Sequence, residues 1–329
     1  MMTSDKRLGC MLLVSFLIAG CGGGGSGGSA PAAADPTPND PAGPGTGIVT
    51  VAITDGPMED IDELILHVTH LDFGHANGDV TRLALHGGPT DIDMVALQNG
   101  ITHDLVDHAG LPAGEYHWME LGVDLDHSEI GLGGGGRHGM RLADADAFRV
   151  QEQFTIHEQE HTEFIMDFDL RNAVHQHHMG GMMGSEFELH HGLRLMDVEH
   201  AGGLTGTIDG SLIDINHPDC DPAAGGNWAY LFPGDATQPD DLSSTDTDGA
   251  AGPFAMDRVE LQNGNGEYRY HFAFLPEGSY RVAFSCSSDW DELGDDDYPN
   301  DPDGRFHFQA FGDRVAVHAG EVTVYDVGP

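Results

Sequence analysis

One pair of histidines has the spacing of a zinc-hydrolase motif. His157, Glu158 and His161 form His-Glu-x-x-His, which needs a helix to place both imidazoles on one face and to let the glutamate polarise a metal-bound water. Apolar residues alternate on both sides of the motif, at 154–156 and 164–168, and this alternation is typical of strands. We therefore expect residues 157–161 to connect a β-hairpin. A zinc-dependent hydrolase is kept only as an alternative function.

A second candidate site is rich in histidine, methionine and glycine. Imidazole and thioether groups together bind copper, and imidazole alone suits zinc, while glycines let several side chains converge. The alternative is a solvated polar loop, because no spacing here fixes a coordination geometry. The candidate ligands are His175, His177, His178, Met179, Met182, Met183, His190 and His191.

Aspartates crowd the segment between Cys286 and Phe306. Carboxylates at this density suit calcium, although the segment lacks the distal glutamate of a complete calcium loop. A solvated acidic loop is the alternative. The candidate calcium ligands are Asp295, Asp297, Asp301 and Asp303. The sequence thus assigns no cofactor, and copper, zinc and calcium are the candidates.

The charge of the chain excludes several classes of partner. Its 329 residues contain 13 Lys and Arg against 55 Asp and Glu, which gives a formal net charge of −42. Nucleic acids are excluded as partners, because binding to phosphates needs clustered basic residues. The near absence of lysine and the excess of Asp over Glu indicate a salt-adapted, halophilic source, with a merely acidic surface as the alternative.

The first residues have the pattern of a lipoprotein signal. Lys6 and Arg7 precede an apolar run at 8–20, which is too short to span a bilayer. The run ends in Leu17–Cys21 (LIAGC), which resembles the bacterial lipobox. We expect residues 1–20 to be removed, Cys21 to carry lipid, and residues 21–46, rich in Gly, Ser, Ala and Pro, to form a flexible tether. Residue 22 is Gly and not Asp, which by resemblance to sorted bacterial lipoproteins favours the outer membrane. An ordinary secretory signal is the alternative.

The remaining residues read as an all-β body. Apolar residues alternate at period two in several runs, turn residues separate the runs, and no segment has a sustained helical stripe. Two similar segments, Leu111–Tyr116 (LPAGEY) and Leu275–Tyr280 (LPEGSY), predict one equivalent hairpin in each of two β-sandwich domains, immunoglobulin-like or prealbumin-like. We place these domains at 47–202 and 203–329.

Two cysteines remain after Cys10 leaves with the signal and Cys21 takes lipid. Cys286 continues the inward register of the preceding apolar residues, and Cys220 lies in the same domain. In an oxidising compartment this pair predicts a disulfide, with two buried thiols as the alternative.

Five segments of residues 47–200 resemble a bacterial lipoprotein family known as domain of unknown function 4382. They are Gly47–Pro57 (GIVTVAITDGP), Asp93–Gly100 (DMVALQNG), Leu111–Tyr116 (LPAGEY), Met166–Arg171 (MDFDLR) and Gly192–Leu195 (GLRL). The rest of the chain, with Ala229–Pro233 (AYLFP) and Leu275–Tyr280, looks like a carboxypeptidase-regulatory or prealbumin-like sandwich. The resemblance implies a surface lipoprotein with two sandwiches, and it implies no reaction. The histidine and methionine segment departs from the family pattern.

These observations predict a non-enzymatic lipoprotein of the cell envelope with a binding or surface-organising role. The expected partners are the membrane, through the lipid anchor, and an envelope or extracellular ligand. The expected location is the outer membrane, on its periplasmic or exposed face. Copper or zinc capture through the histidine and methionine segment is the alternative function.

Overall fold

The computed structural model describes most of the chain from residue 45 onward. The described residues are 45–56, 58, 61–133, 135–143, 146–178, 185–213, 220, 226–242, 252–262, 266–291 and 305–329. Residues 1–35 and 36–329 form two compact units, and every described residue belongs to the second. Cys21 and the signal segment therefore lie outside the described residues.

Among the described residues up to 200, the structure has fifteen strands, one short α-helix and three short 3₁₀ helices. The strands are β1 (Thr46–Asp55), β2 (Ile61–His75), β3 (Val80–Ala84), β4 (Thr90–Asp93), β5 (His103–Pro112), β6 (Gly114–Val123), β7 (Glu129–Leu132), β8 (Gly136–His138), β9 (Met140–Leu142), β10 (Arg149–Val150), β11 (Phe154–Ile156), β12 (His161–Phe168), β13 (Val174–His178), β14 (Ser185–Leu189) and β15 (Leu193–Asp197). The helix is α1 (Leu170–Ala173). We call β1–β15 the first sandwich.

Two sheets of the first sandwich face each other across one core. One sheet has the order β15-β12-β1-β5, and the other has the order β10-β6-β2-β7-β8 with β3, β4 and β11 alongside. Alternate residues of β1, Val49, Val51 and Ile53, are fully buried, and they share one apolar cluster with Leu64 and Leu66 of β2. The period-two pattern thus arises because each of these strands turns one face, and therefore every second side chain, to the core. A small third sheet has the order β13-β14-β9.

The remaining nine described strands form a second pair of sheets. They are β16 (Ala201–Ile208), β17 (Trp228–Pro233), β18 (Ala255–Arg258), β19 (Glu260–Leu261), β20 (Tyr268–Pro276), β21 (Gly278–Ser285), β22 (Ala310–Phe311), β23 (Val315–Val317) and β24 (Val322–Val324). One sheet has the order β19-β20-β16-β24, and the other has the order β18-β17-β21-β22 with β23 beside β21. We call β16–β24 the second sandwich. Its core is a separate cluster that includes Leu204, Leu231 and Phe284.

The all-β, β-sandwich class predicted from the sequence is confirmed. Within the described residues, no helix is long and apolar enough to span a membrane. The structure begins β16 at Ala201, close to the domain boundary placed at 202/203, and the division into two domains stays a prediction.

Three predicted hairpins are wrong. β11 pairs with β6, whereas β12 pairs with β1 and β15, so residues 157–160 carry the chain from one sheet to the other. The two Leu-Pro-x-Gly-x-Tyr segments also cross between sheets, because β5 pairs with β1 and β6 with β2, and β20 pairs with β16 and β21 with β17. Alternation of apolar residues identifies strands, but it does not show whether two strands that follow each other in sequence will pair.

The two crossing segments are nevertheless equivalent, as the sequence similarity predicts. Tyr116 is buried in the first core and its hydroxyl donates a hydrogen bond to the carbonyl of Pro112 at 2.6 Å. Tyr280 does the same in the second core, to Pro276 at 2.8 Å. Each is a tyrosine corner, in which a core tyrosine fixes the bend where the chain changes sheets.

Candidate functional site

The His-Glu-x-x-His motif is divided between a turn and the start of a strand. Residues 157–160 form the turn, in which Gln159 has a positive φ of 61°, and His161 begins β12. The Glu158 carboxylate accepts a hydrogen bond from the amide of Gly45 at 3.0 Å, and the His161 ring lies 3.0 Å from the hydroxyl of Thr50. No helix places the two imidazoles on one face here, so the motif does not assemble the zinc-hydrolase arrangement.

Two cavities adjoin each other here, and His157 and Glu160 of this turn line one of them. The larger opening, of about 490 Å³, is lined in part by Leu195, Met196 and Pro276, and its neighbour, of about 430 Å³, is lined in part by Phe154 and Phe164. Both cavities share Glu152, Leu195, Asp197 and His200, so they form one depression, which we call the acidic groove. Its carboxylate side chains are Glu152, Glu160, Asp197, Glu199 and Glu277, and its histidines are His157, His161 and His200.

The acidic groove combines an apolar floor with a carboxylate rim. Phe154 and Phe164 meet edge to face with ring centroids 4.9 Å apart, which fixes the floor beneath the turn. No arginine is among the described residues that line either cavity. Because Glu277 belongs to the second sandwich and Glu152 to the first, the groove spans both. Its chemistry suits a positively charged ligand with apolar methylene groups, such as a lysine-rich segment.

The histidine and methionine segment is only partly described. β13 and β14 pair antiparallel, with His175 opposite Glu188 and His177 opposite Glu186. His175 also stacks on His190, with ring centroids 4.0 Å apart, and His191 is exposed. His178 ends β13, whereas Met179, Met182 and Met183 lie outside the described residues. Copper or zinc binding there stays a prediction.

The proposed calcium ligands Asp295, Asp297, Asp301 and Asp303 lie outside the described residues as well. Over the ranges that the structure does describe, no group of three or more His, Cys, Asp or Glu is arranged to hold a metal ion. The neighbouring Asp291 is described, and it has a structural role. Its carboxylate accepts hydrogen bonds from the Tyr230 hydroxyl at 2.6 Å and from the Leu242 amide at 2.9 Å.

The structure brings Cys220 and Cys286 together, with their Cα atoms 4.9 Å apart, and the disulfide between them stays a prediction. Both residues are buried in the core of the second sandwich. Mass mapping of the native protein under non-reducing conditions tests whether this pair is linked, and two alkylatable thiols would contradict the link.

Residues that carry the family resemblance meet at a place that the sequence did not reveal. Asp55 ends β1, Asp167 and Asp169 lie at the end of β12, and Arg171 and Arg194 lie in α1 and β15. We call these five residues the junction cluster, because they lie where the second sandwich packs on the first. The sequence signal is that all five residues lie in segments that resemble the family, but the sequence does not show that these segments meet.

Two arginines of the junction cluster hold the second sandwich. Arg171 donates a hydrogen bond to the Ser288 carbonyl at 2.9 Å and lies within 4.0 Å of the Asp291 carboxylate. Arg194 bonds Asp167 within its own sandwich and the Phe254 carbonyl across the junction, and its guanidinium lies over the Phe254 ring. Each guanidinium therefore contributes charge, hydrogen bonds and a cation–π contact to the same interface.

The carboxylate of Asp55 has a different environment. Asp55 is only 4% exposed, and within the described residues neither carboxylate oxygen has a hydrogen-bond partner. Burial raises the pKa of Asp55 well above its usual value, and the charges of Asp167 and Asp169 raise it further. Burial also raises the pKa of Asp257, which lines the same small cavity from the second sandwich, to about 7. This part of the junction therefore favours protonated carboxyl groups.

Comparison with known proteins gives one family. Residues 46–183 match the model of a family described as Domain of unknown function (DUF4382). The match confirms the resemblance over this part of the chain, whereas the likeness of the C-terminal residues to a carboxypeptidase-regulatory or prealbumin-like sandwich stays a prediction. No curated protein matches the chain in sequence.

Several solved structures are similar at low identity. The minor pilin GBS52 from Streptococcus agalactiae is 12% identical, with 85% of this chain and 96% of that chain covered and a TM-score of 0.18. A putative adhesin from Bacteroides ovatus is 9% identical, with coverage of 72% and 78% and a TM-score of 0.17. The fimbrial anchor protein Mfa2 from Porphyromonas gingivalis is 11% identical, with coverage of 78% and 80% and a TM-score of 0.15. At these values the likeness carries no functional inference.

Proposed function

We propose that this chain, which carries a DUF4382 domain, is a non-enzymatic lipoprotein of the outer membrane that binds a positively charged partner in the acidic groove. The observation that carries the proposal is the groove itself, in which carboxylates from both sandwiches surround an apolar floor. Such a surface attracts cationic segments and buries their methylene groups. The two arginine contacts across the junction support this role, because they hold the two sides of the groove together.

The anchoring part of the proposal depends on Cys21. The lipobox resemblance and the glycine-rich tether support it, and the Cys21→Ala variant tests it directly. We expect that variant to leave the membrane fraction and become soluble in fractionated cells. Retention of the variant in the membrane fraction would overturn the lipid anchor without affecting the groove.

The binding part is tested with octalysine as the probe, at physiological salt, by calorimetric titration into the full protein. The groove variant changes Glu152, Glu160 and Glu199 to Gln. The control variant changes three exposed acids of the second sandwich, Glu260→Gln, Asp313→Asn and Glu321→Gln. Both variants lose three negative charges, so the general attraction of the acidic surface for cations weakens equally in both.

We expect the groove variant to bind octalysine at least about tenfold more weakly, a loss of about 1.4 kcal/mol, and the control variant to resemble wild type. Equal weakening in both variants would show that only net charge matters and would overturn the groove as the binding site.

Metal capture by the histidine and methionine segment is the second candidate function. The observation that favours it is the pairing of β13 with β14. His175 and His177 both lie on β13, and the ring of His175 stacks on the ring of His190, which follows β14. If this segment is a site, copper binds more tightly than zinc, because three nearby methionines add soft thioether ligands. Titration of Cu(I), Cu(II) and Zn(II) into tag-free protein and into a variant with His175, His177, His178, Met179, Met182 and Met183 changed to Ser tests this. Equal binding in both proteins would exclude the segment as a metal site.

A further inference from the structure

Two histidines of the first sandwich are held close together by the backbone that carries them. His67 lies in β2, and His127 ends the short 3₁₀ turn Leu125–His127 that follows β6. The Asp124 amide donates to the His67 carbonyl at 2.9 Å, and the Ser128 hydroxyl accepts from the His67 amide at 2.9 Å while donating to the Asp124 carbonyl at 2.7 Å. The turn is therefore fixed against the strand on both sides of His127.

Each of these imidazoles is oriented by a carboxylate at the same ring nitrogen. Nδ1 of His67 lies 2.6 Å from Asp91 Oδ1, and Nδ1 of His127 lies 2.9 Å from Asp124 Oδ2. Histidines that bind metals generally place one ring N–H against a carboxylate, which fixes the tautomer and leaves the other nitrogen for the metal. Here that arrangement occurs twice, and in both rings the nitrogen left for a ligand is Nε2.

The spacing of the rings matches that of two imidazoles on one ion. The ring centroids are 5.5 Å apart and the planes are inclined by 46°. Two imidazoles bound at a metal–nitrogen distance of about 2.0–2.1 Å, with a tetrahedral angle between them, have ring centres about 5 Å apart. We propose that His67 and His127 bind one divalent transition-metal ion through their Nε2 atoms, with Asp91 and Asp124 as positioning residues.

This site is open and separate from the segment at 175–191. The described residues bring no third His, Cys, Asp or Glu to it, and we expect water or a group from a partner to complete the coordination. A site of two imidazoles follows the general order of divalent metal affinity, in which Cu²⁺ binds more tightly than Zn²⁺ or Ni²⁺. The acidic surface adds a general attraction for cations, which the test must separate from binding at these two nitrogens.

Another histidine pair of the first sandwich provides a matched control. His108 and His161 have ring centroids 4.6 Å apart, but their planes are inclined by only 24°, so the rings stack. Nε2 of His161 lies 3.0 Å from the Thr50 hydroxyl, and its Nδ1 lies 3.6 Å from Glu163. Stacked rings whose nitrogens already face protein groups do not converge on one ion. This pair is exposed and, like His67 and His127, it is accompanied by carboxylates.

The test is titration of Cu²⁺ into the full, tag-free protein and into His67→Asn, His127→Asn and His108→Asn, followed by calorimetry and by electron paramagnetic resonance. We expect His67→Asn and His127→Asn each to lose one bound Cu²⁺ and its two-nitrogen hyperfine pattern, whereas His108→Asn keeps both. Asp91→Asn should weaken this Cu²⁺ by about 10- to 100-fold while the two-nitrogen pattern remains. Wild-type stoichiometry and spectra in both His67→Asn and His127→Asn would overturn the site.

Discussion

The guanidinium of Arg171 lies over the indole ring of Trp228, with its central carbon 4.6 Å from the ring centroid. Arg171 belongs to the first sandwich and is 8% exposed, and Trp228 belongs to the second and is fully buried. The same guanidinium reaches the Ser288 carbonyl and the Asp291 carboxylate. The Arg171 side chain of the first sandwich thus contacts a carboxylate, a backbone carbonyl and an aromatic ring that are buried in the second.

Replacement of Arg171 by alanine should destabilise the protein by about 3 kcal/mol, because it leaves the buried Asp291 carboxylate without its positive neighbour. Urea denaturation measures this change as a shift of the unfolding midpoint. The control is Arg269→Ala, which removes an exposed ion pair with Glu267 and should cost less than about 1 kcal/mol. Equal losses in the two variants would contradict the importance of the junction contact.

The raised pKa of Asp55 predicts a pH-dependent stability. Because the pKa of Asp55 is higher in the folded protein than in the unfolded chain, the folded state binds the proton more tightly. The stabilisation that the Asp55 carboxyl provides is therefore complete at pH values below its pKa in the unfolded chain. It is lost as the pH rises toward its pKa in the folded protein. Asp257, with a folded pKa of about 7, acts in the same direction between about pH 4 and pH 7.

The Asp55→Asn variant cannot ionise, so its stability relative to wild type should rise between pH 4.5 and pH 8. Urea denaturation at both pH values measures the difference, and the exposed Asp313→Asn change serves as control. Because the variant lacks only this titrating group, the difference reports the contribution of Asp55 together with its coupling to Asp167 and Asp169. If the difference in the free energy of unfolding between variant and wild type stays constant with pH, Asp55 does not contribute to the pH dependence of stability.

The two tyrosine corners predict matched losses of stability. Tyr116→Phe and Tyr280→Phe each remove one hydroxyl that donates to a proline carbonyl, and each should cost about 1 kcal/mol. Tyr268→Phe, at a partly buried ring on the edge of the second core, should change stability by less than about 0.5 kcal/mol. Thermal or chemical denaturation of the three variants measures these values, and a loss in only one corner would mean that the two segments are not equivalent.

The net charge of −42 predicts that salt stabilises the folded body. Mutual repulsion of the carboxylates favours expanded states, and salt screens it over a Debye length that falls from about 30 Å at 0.01 M to about 3 Å at 1 M. We expect the melting temperature to rise by several degrees across this range of NaCl. A melting temperature that is constant or falls with added salt would contradict the prediction.

The local sequence pattern predicts where the strands lie, but it does not predict which strands pair. Val49, Val51 and Ile53 alternate in sequence and are buried together, because a strand turns every second side chain to the core. The Leu-Pro-x-Gly-x-Tyr segments predict hairpins, but a short turn between two strands has the same sequence pattern when the chain changes sheets, as it does here.

The candidate sites were harder to predict for a related reason. Arg171 and Asp291 are 120 positions apart, and His67 and His127 are 60 positions apart. Each of these residues looks like an ordinary polar residue in its own segment. The pairing of β2 with β6 brings His67 to His127, and the packing of the second sandwich on the first brings Arg171 to Asp291. Conversely, His157 and His161 have the spacing of a zinc motif, but the chain passes from a turn into a strand between them. The two residues therefore do not lie on one face of a helix, as the motif requires.

The position of β1 has a mechanical consequence. β1 lies between β12 and β5 within its sheet, begins at Thr46 directly after the proposed tether, and ends at Asp55 against the second sandwich. A pulling force from a membrane anchor would therefore enter the body at the first residue of a strand that is hydrogen-bonded on both edges. Two sets of backbone hydrogen bonds, one to each neighbour, would have to break before this strand could be drawn out of its sheet.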